Sequence, residues 1–322
     1  MTRVVIIGGG VSGLGLAHEL SASPEFQITV IERSAVVGGL AGSVSFEDWQ
    51  LDVGSHRIHP KSHPVALQLL RDLLGDDLRS RPRHGQLRFQ GRWLSYPPST
   101  VELALSYDPL ALATLVGSWM AARLRIAAPT ETFESVLTHK FGRRLFEDFY
   151  HPYARKLWGL DPGEISAIAA EQRAQRLSMP RLVGDLHRWL TSSAPAHTYL
   201  YPAEGFGMIA RQLERRLVAR GVTILRHTRA EALRLAPNGR ASHVATVCEQ
   251  SGEPIDVGAD WVVSTAPLPF NLQLLERSGC RPLSPAPQLS TRHLRVVLLS
   301  TEDVPKTPGE TLYIPGDRKS VV

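Results

Sequence analysis

Three glycines near the start of the chain have the spacing of a phosphate-binding turn. Gly8, Gly10 and Gly13 follow an apolar, β-branched run and open a segment with helical character. In such a turn the first glycine permits a tight bend, the second lets the backbone approach a pyrophosphate, and the third lets helix and strand pack closely. The helix N-terminus, at Val11 and Ser12, presents N–H groups and a positive dipole end to the phosphates. The spacing therefore predicts a dinucleotide site.

An acidic residue follows the next predicted strand, at the position that such a site requires. Residues 28–31 form a second β-branched run, and Glu32 comes 19 residues after Gly13. An acid at the end of this strand can bond a ribose hydroxyl, and Arg33 can face phosphate oxygens. The alternative, a tight surface turn with a solvated glutamate, leaves the register of the three glycines unexplained.

A second glycine cluster indicates which dinucleotide is bound. Gly39 and Leu40 belong to the run Gly-Gly-Leu-Ala-Gly at 38–42, which resembles the diglycine motif of the flavin amine oxidase superfamily. That superfamily includes protoporphyrinogen oxidases, phytoene desaturases, monoamine oxidases and UDP-galactopyranose mutases. The resemblance implies FAD as cofactor, and an α/β fold in which a Rossmann-type FAD-binding domain (GR2-type) carries an inserted α+β substrate domain. The alternative is a glycine-rich surface loop, since glycines punctuate loops generally.

Further segments carry the same resemblance. Residues 201–225 resemble the second cofactor-domain segment of this superfamily, after which the residue matching Ala230 contacts the adenine through its backbone. Residues 261–267 resemble the strand that passes near the flavin diphosphate. A fourth segment, residues 52–57 (Asp-Val-Gly-Ser-His-Arg), looks like the one that runs under the flavin ring, and its candidate cofactor-binding residues are Gly54, Ser55, His56 and Arg57.

Residues 141–159 narrow the resemblance to protoporphyrinogen-oxidase-like proteins and UDP-galactopyranose mutases. In that branch an aromatic residue, a lysine and a tryptophan lie over the ligand pocket, and Tyr153, Lys156 and Trp158 hold the matching positions. Mutases generally place glutamine where Leu157 stands, which favours the oxidases. The alternative for Tyr153 and Trp158 is a stripe of core residues at helical spacing.

Composition favours an enzyme with a small-molecule substrate. The 322 residues are 43% hydrophobic and carry a formal charge of +5. This excess does not indicate a nucleic-acid partner, because the basic residues are mostly arginines scattered along the chain instead of forming a block. Cys248 and Cys280 have no metal-ligand spacing, and the histidines show no HxxxH pattern, so we expect no metal site.

Two apolar stretches bear on the location of the protein in the cell. At the N-terminus, glycines interrupt the apolar run and no small-residue cleavage site follows, so we expect a cytoplasmic protein without a signal peptide. Residues 109–122 are apolar but shorter than the ~20 residues of a spanning helix. Two alternatives remain for 109–125: a buried helix of the substrate domain, or an interfacial helix whose basic end rests on the cytoplasmic face of a membrane.

Periodicity and turn residues divide the chain. Residues 62–75 have a helical pattern, residues 86–96 alternate around a glycine turn as in a hairpin, and helices broken at Pro129, Pro162 and Pro180 continue to about residue 200. A strand is expected at 294–299. The predicted domains are 1–61 as first FAD-binding segment, 62–200 as substrate domain, 201–270 as second FAD-binding segment, and 271–316 as start of a second substrate-domain segment.

The last six residues, 317–322, are expected to be a non-native tail. Their codons can match a sequencing-adapter read, and the resemblance covers residues 3 to about 316 while superfamily members continue beyond it. We therefore expect the C-terminal part of the fold to be missing from this sequence. A chain lacking those strands and a helix is expected to be aggregation-prone and to bind FAD weakly.

The predicted activity is that of an FAD-dependent oxidoreductase, protoporphyrinogen-oxidase-like, in which flavin N5 accepts a hydride from a substrate C–H. No catalytic acid or base stands out as a motif. The two alternatives are a flavin isomerase similar to UDP-galactopyranose mutase and a non-catalytic scaffold with the FAD fold. Oligomeric state, substrate and electron acceptor stay open, and five residues are candidates for facing flavin or substrate: His56, Arg57, Tyr153, Lys156 and Trp158.

Overall fold

The computed structural model describes residues 1–83, 85–96, 98, 100–124, 131–174, 198–280, 296–297 and 311–313. The strands are β1 Thr2–Ile7, β2 Phe26–Ile31, β3 Ser43–Phe46, β4 Trp49–Asp52, β5 Leu78–Pro82, β6 Gly85–Phe89, β7 Arg92–Tyr96, β8 Thr198–Pro202, β9 Thr223–Leu225, β10 Thr228–Leu235, β11 Ala241–Cys248, β12 Pro254–Gly258, β13 Trp261–Ser264 and β14 Thr311–Tyr313. The helices are α1 Val11–Leu20, α2 Pro64–Leu74, α3 Thr100–Leu105, α4 Pro109–Leu124, α5 Phe133–Phe141, α6 Arg143–Leu145, α7 His151–Trp158, α8 Ala167–Ala174, α9 Gly207–Ala219 and α10 Leu268–Arg277.

Internal packing divides the chain into two compact units. The first comprises Met1–Arg81 with Thr198–Ser300, and the second comprises Pro82–His197 with Thr301–Val322. The first unit extends beyond residue 61 because Leu67 and Leu74 of α2 are buried in its core.

A parallel sheet with the order β13-β1-β2-β9 forms the centre of the first unit. Val5 of β1 lies opposite Thr29 on one side and Val262 on the other. β1 is a continuous apolar run because both faces of the sheet are covered, as is usual for parallel sheets. The strands predicted before Gly8, at 28–31 and at the start of 261–267 are confirmed, and residues 223–225 at the end of the segment 201–225 form β9.

Each face of this sheet has its own cover. Helices α1, α2 and α9 bury Leu14 and Leu213 against one face. The antiparallel sheet β10-β11-β12 and helix α10 bury Val244 and Leu274 against the other. Helix α10 packs in the first unit because its apolar side covers the sheet. The second substrate-domain segment was predicted to begin at residue 271, which lies within this helix.

Two short ribbons complete the first unit. β3 and β4 form an antiparallel hairpin in which Phe46 lies opposite Trp49. β5 pairs with β8, so the helical stretch expected to reach about residue 200 ends before Thr198. The alternation of Thr198–Pro202 suits a strand, and Leu200 contributes to the core.

The second unit joins a hairpin to a group of helices. The hairpin predicted at 86–96 is confirmed as β6 and β7, and β14 pairs in parallel with β6. Phe133, Leu137 and Phe146 are fully buried among the helices. The break predicted at Pro162 is a 3₁₀ turn. Pro129, Pro180 and the tail 317–322 lie outside the described residues, and of the predicted strand 294–299 only residues 296–297 are described, without strand geometry.

Helix α4 covers most of the apolar stretch at 109–125 and is buried on one side only. Leu115 and Ala122 are buried, whereas Leu110, Met120 and Leu124 are exposed. Across the described parts of the chain, no helix combines the length and apolarity needed to cross a membrane.

Candidate cofactor site

The turn between β1 and α1 is built so tightly that two of its positions exclude a side chain. Gly8 has φ +109°, and its N–H donates to Ile31 O at 2.9 Å. A Cβ on Gly13 would lie 2.0 Å from Gly8 O, and a Cβ on Gly8 would lie 2.7 Å from Thr265 Oγ1. Gly13 therefore lets α1 begin directly against the end of β1.

Gly10 has the opposite surroundings. Among the described residues, its own chain neighbours aside, no atom lies within 4 Å of the position that its Cβ would take. Leu14 N–H donates the first bond of α1 to Gly10 O, at 2.9 Å, so the N–H groups of Val11 and Ser12 precede the hydrogen-bonded ladder. No side chain of the part of the chain that the structure describes caps this helix end. An open approach to uncapped N–H groups and a positive dipole end fits a phosphate group.

The diglycine segment lies along this turn. Gly38 N–H donates to Gly9 O at 2.8 Å, and a Cβ on Gly39 would lie 3.4 Å from Gly10 Cα. Gly38 and Gly39 both have positive φ values, +118° and +56°, which L-residues with side chains rarely adopt. Leu40, next in the run, is 80% exposed. Two glycine-rich segments distant in sequence thus form one strip of bare backbone.

Glu32 is buried at the end of β2 and is held by the same turn. Its Oε2 accepts a hydrogen bond from Gly9 N–H at 2.8 Å, and its Oε1 accepts one from Ser34 N–H at 2.8 Å. A carboxylate offers about four acceptor positions, so two backbone bonds leave capacity for a ribose hydroxyl. The neighbouring Arg33 is exposed.

Ala230 reaches this edge of the sheet through β10. Thr228 N–H donates to Glu32 O at 2.9 Å, which anchors the start of β10 beside the end of β2. Ala230 has a buried side chain, and the pairing with β11 shifts register between Ala230 and Ala232. Ala230 belongs to the buried core of this unit, and its backbone contact with the adenine stays a prediction.

These residues fit a dinucleotide at the carboxyl ends of β1 and β2, where ligands bind to open parallel sheets. A sequence model of the flavin-containing amine oxidoreductases matches residues 11–305. The chain belongs to this family. Membership assigns FAD as the cofactor, and the open approach to Gly10 is where the residues present can accommodate its diphosphate.

Similar proteins and a similar crystal structure are consistent with membership of this family. The chain is 38% identical to an L-amino-acid oxidase of Sistrurus catenatus edwardsii over 69 residues, which are 21% of this chain and 13% of that protein. It is 26% identical to a chloroplastic protoporphyrinogen oxidase of Nicotiana tabacum over 181 residues, 54% of this chain and 32% of the relative. The crystal structure of a reduced UDP-galactopyranose mutase superposes with a TM-score of 0.68 at 22% identity, covering 85% of this chain and 57% of the mutase. The chain thus aligns with little more than half of the mutase and with smaller parts of the two oxidases.

The segment expected under the flavin ring is folded against the start of α9. Gly54, with φ +107°, donates its N–H to Asp52 O at 2.8 Å. The His56 ring stacks on Phe206 with centroids 4.7 Å apart. Ser55 is exposed, and the Arg57 guanidinium lies 5.3 Å from the centroid of the Tyr199 ring.

Residues to which the sequence analysis assigned no role support this segment and the turn at Gly8. Asp52 accepts hydrogen bonds from Ser43, Tyr201 and Phe206, and Thr265 closes the turn at Gly8 by donating to Ile7 O and Gly8 O. Burial, and then the adjacent Asp52 carboxylate, raise the pKa of the Tyr201 hydroxyl well above its usual value. No local signal marks these residues, because their partners are remote in sequence.

The three candidates from residues 141–159 lie on α7 in the second unit. The Tyr153 ring stacks on Phe149 at 6.1 Å, and the Trp158 ring meets Phe133 edge-on at 5.2 Å. Trp158 packs against the core of that unit, and Lys156 is half-buried. These contacts show core packing on one side of α7, and the predicted role of the three residues in ligand binding stays a prediction.

Over the ranges that the structure describes, no three His, Cys, Asp or Glu side chains are placed to hold one ion. Cys248 and Cys280 are free thiols.

Proposed function

We propose that the protein is an FAD-dependent oxidoreductase that removes a hydride from a C–H bond of a small-molecule substrate, as protoporphyrinogen oxidases do. The observation that carries the proposal is the open space before Gly10, beside an uncapped helix N-terminus and the bare backbone of Gly39. Such a cradle suits the diphosphate of a dinucleotide. When bound, the flavin supplies the redox chemistry, accepting the hydride at N5.

The chain's own contribution is to bind and orient the cofactor. In this proposal the N–H groups of Val11 and Ser12 bond the diphosphate. Arg33, exposed beside Glu32, provides positive charge for the same group. The Glu32 carboxylate, already fixed by two backbone N–H groups, accepts a bond from a ribose hydroxyl. The backbone of Ala230 meets the adenine.

The reactive end is assigned to the segment 54–57. Gly54 and Ser55 present backbone to the ring, while His56 and Arg57 are held by ring contacts with Phe206 and Tyr199. Tyr153, Lys156 and Trp158 are proposed to face the substrate.

Two measurements on the full-length purified protein test this function. The oxidised protein should show flavin absorbance with one FAD per chain, and anaerobic addition of an oxidisable substrate such as protoporphyrinogen should bleach it. A colourless protein would identify a scaffold and contradict the proposal. Conversion of UDP-galactopyranose by the reduced protein, with no net oxidation of substrate, would instead identify a mutase.

We also propose a peripheral contact with a membrane through residues 109–125. Leu110, Met120 and Leu124 form an exposed apolar side of α4, and Arg123 lies in its last turn with its guanidinium 5.7 Å from the Trp119 ring centroid. Apolar side chains next to a basic helix end suit the boundary of an anionic bilayer.

A further inference from the structure

One carboxylate connects three separate stretches of the first unit. Asp52 Oδ1 accepts hydrogen bonds from Ser43 Oγ at 2.6 Å and from Phe206 N–H at 2.8 Å, and Oδ2 accepts one from the Tyr201 hydroxyl. Asp52 ends β4, Ser43 begins β3, Tyr201 lies in β8, and Phe206 precedes α9. The same side chain therefore joins the two parts of the chain from which this unit is assembled.

The turn before α9 is seated on the β3–β4 hairpin. Ser43 Oγ, which donates to Asp52, also accepts a hydrogen bond from Gly207 N–H at 2.8 Å. A Cβ on Gly207 would lie 2.5 Å from Ser43 N, and a Cβ on Gly205 would lie 2.9 Å from Asp52 Oδ1. The N–H groups at the start of α9 are thus satisfied by the hairpin, with a negative charge at the positive end of the helix dipole.

The segment 54–57 directly follows Asp52 and packs against the start of α9. Gly54 N–H donates to the backbone carbonyl of Asp52 at 2.8 Å. His56 Nε2 lies 3.1 Å from Val53 O, and its ring stacks on Phe206, the residue whose N–H Asp52 holds. The segment 54–57 is therefore attached to the Asp52 backbone at one end, and it stacks on the ring of Phe206, whose N–H the Asp52 carboxylate binds.

We propose that Asp52 is a positioning residue for the flavin. By holding Phe206 and Tyr201, it sets the backbone of Gly54–Arg57 and the ring of His56 in the arrangement that meets the isoalloxazine. The inference rests on the proposed function, because it requires that this segment face the flavin. Asp52 itself is assigned no contact with cofactor or substrate.

Two substitutions of Asp52 in the full-length protein separate positioning from charge. Asn keeps an acceptor for Ser43 and Phe206, and its amide can donate to the Tyr201 hydroxyl, which then becomes an acceptor. Asp52→Ala should raise the Kd for FAD at least tenfold and move the visible absorption and circular dichroism of bound flavin toward those of free flavin. Asp52→Asn should keep the Kd within about threefold and retain the wild-type spectrum.

Asp260 supplies a matched control in the same unit. Its carboxylate also accepts three bonds, from Arg3 N–H at 2.8 Å, Nε at 3.2 Å and an Nη at 2.8 Å, but at the amino end of the sheet. Asp260→Ala should lower Tm while leaving the Kd for FAD and the flavin spectrum unchanged, measured well below that Tm. A flavin effect equal to that of Asp52→Ala would show a general loss of stability and overturn the proposal.

Further outcomes decide the matter. If Asp52→Ala does not fold, Tyr201→Phe removes one donor while keeping the ring next to Phe206, and it should weaken FAD binding about threefold and alter the flavin spectrum. Wild-type affinity and spectrum in the Asp52→Ala variant, or in Tyr201→Phe, overturn this inference alone. A wild-type protein that binds no FAD overturns the proposed function as well.

Discussion

Replacement of Gly10 by valine should remove FAD binding without unfolding the protein. Gly10 has φ −71° and ψ 172°, an extended conformation open to any L-residue. Within the described ranges, and apart from its chain neighbours, its Cβ would meet no atom within 4 Å. As the N-cap of α1, glycine is preferred to valine, so we expect a loss of about 1 kcal/mol without cofactor. That corresponds to a fall in Tm of about 2–4 °C.

The effect on the cofactor should be much larger. A valine side chain places three heavy atoms in the approach to the N–H groups of residues 11–13. A diphosphate excluded from them should lose at least ~100-fold in affinity, about 2.7 kcal/mol. The assay is FAD titration of the apoprotein by fluorescence quenching, together with thermal unfolding of the same sample.

Two other glycines of the same region provide the controls. A Cβ on Gly13 would lie 2.0 Å from Gly8 O, so Gly13→Ala should cost about 3 kcal/mol from overpacking and lower Tm with or without FAD. Gly15 lies one turn into α1 with no atom within 4 Å of its Cβ position, so Gly15→Ala should bind FAD normally and gain up to about 1 kcal/mol. Stoichiometric FAD in Gly10→Val would refute the register assigned to the turn.

Three further predictions concern charge and surface. Glu32→Ala should lose about 2–3 kcal/mol in stability, because Gly9 N–H and Ser34 N–H lose their acceptor. The wild-type protein should not bind NADP, because the Glu32 carboxylate repels the 2′-phosphate. Tight NADP binding that Glu32→Ala abolishes would contradict this assignment. Arg3 lowers the pKa of Asp260 from 3.8 to about 2, so the stability that this ion pair gives the folded protein is present above pH 3.8 and lost as pH falls through about 2. Thermal scans between pH 5 and pH 2 should show a larger decrease in Tm for wild type than for Asp260→Asn. Equal decreases would count against the ion pair. Replacing exposed Leu110 and Leu124 by glutamate should reduce sedimentation with anionic vesicles at least tenfold while leaving Tm within about 2 °C, and unchanged sedimentation would remove α4 as the contact.

Local pattern was sufficient where neighbours in sequence determine the structure. The strands around the first glycine turn, the helix at Pro64–Leu74 and the hairpin at Gly85–Tyr96 all follow from periodicity and turn residues within a few positions. Gly38 and Gly39 likewise mark a segment whose backbone adopts positive φ. Such features depend on steric limits and on alternation of apolar residues, which any short window of the chain contains.

Domain limits were harder, because they depend on which core receives an apolar side chain. Leu67 and Leu74 of α2 have a helical spacing that is equally suited to either unit, yet they are buried beside α9. Leu274 of α10 is buried against β10 and β11 for the same reason. Periodicity identifies the buried side of a helix but not the surface that covers it.

The sequence by itself indicated the family and the cofactor through its resemblance to the superfamily, and it predicted the turn proposed to receive the diphosphate, since glycine spacing and one acid are local properties. Only the tertiary structure decided how that turn is supported. Glu32 bonds Gly9 N–H, Thr265 closes the space behind Gly8, and Asp52 holds Phe206. Each of these contacts joins residues from 23 to 257 positions apart, and such pairs form only after the sheet has brought separate strands to a common edge.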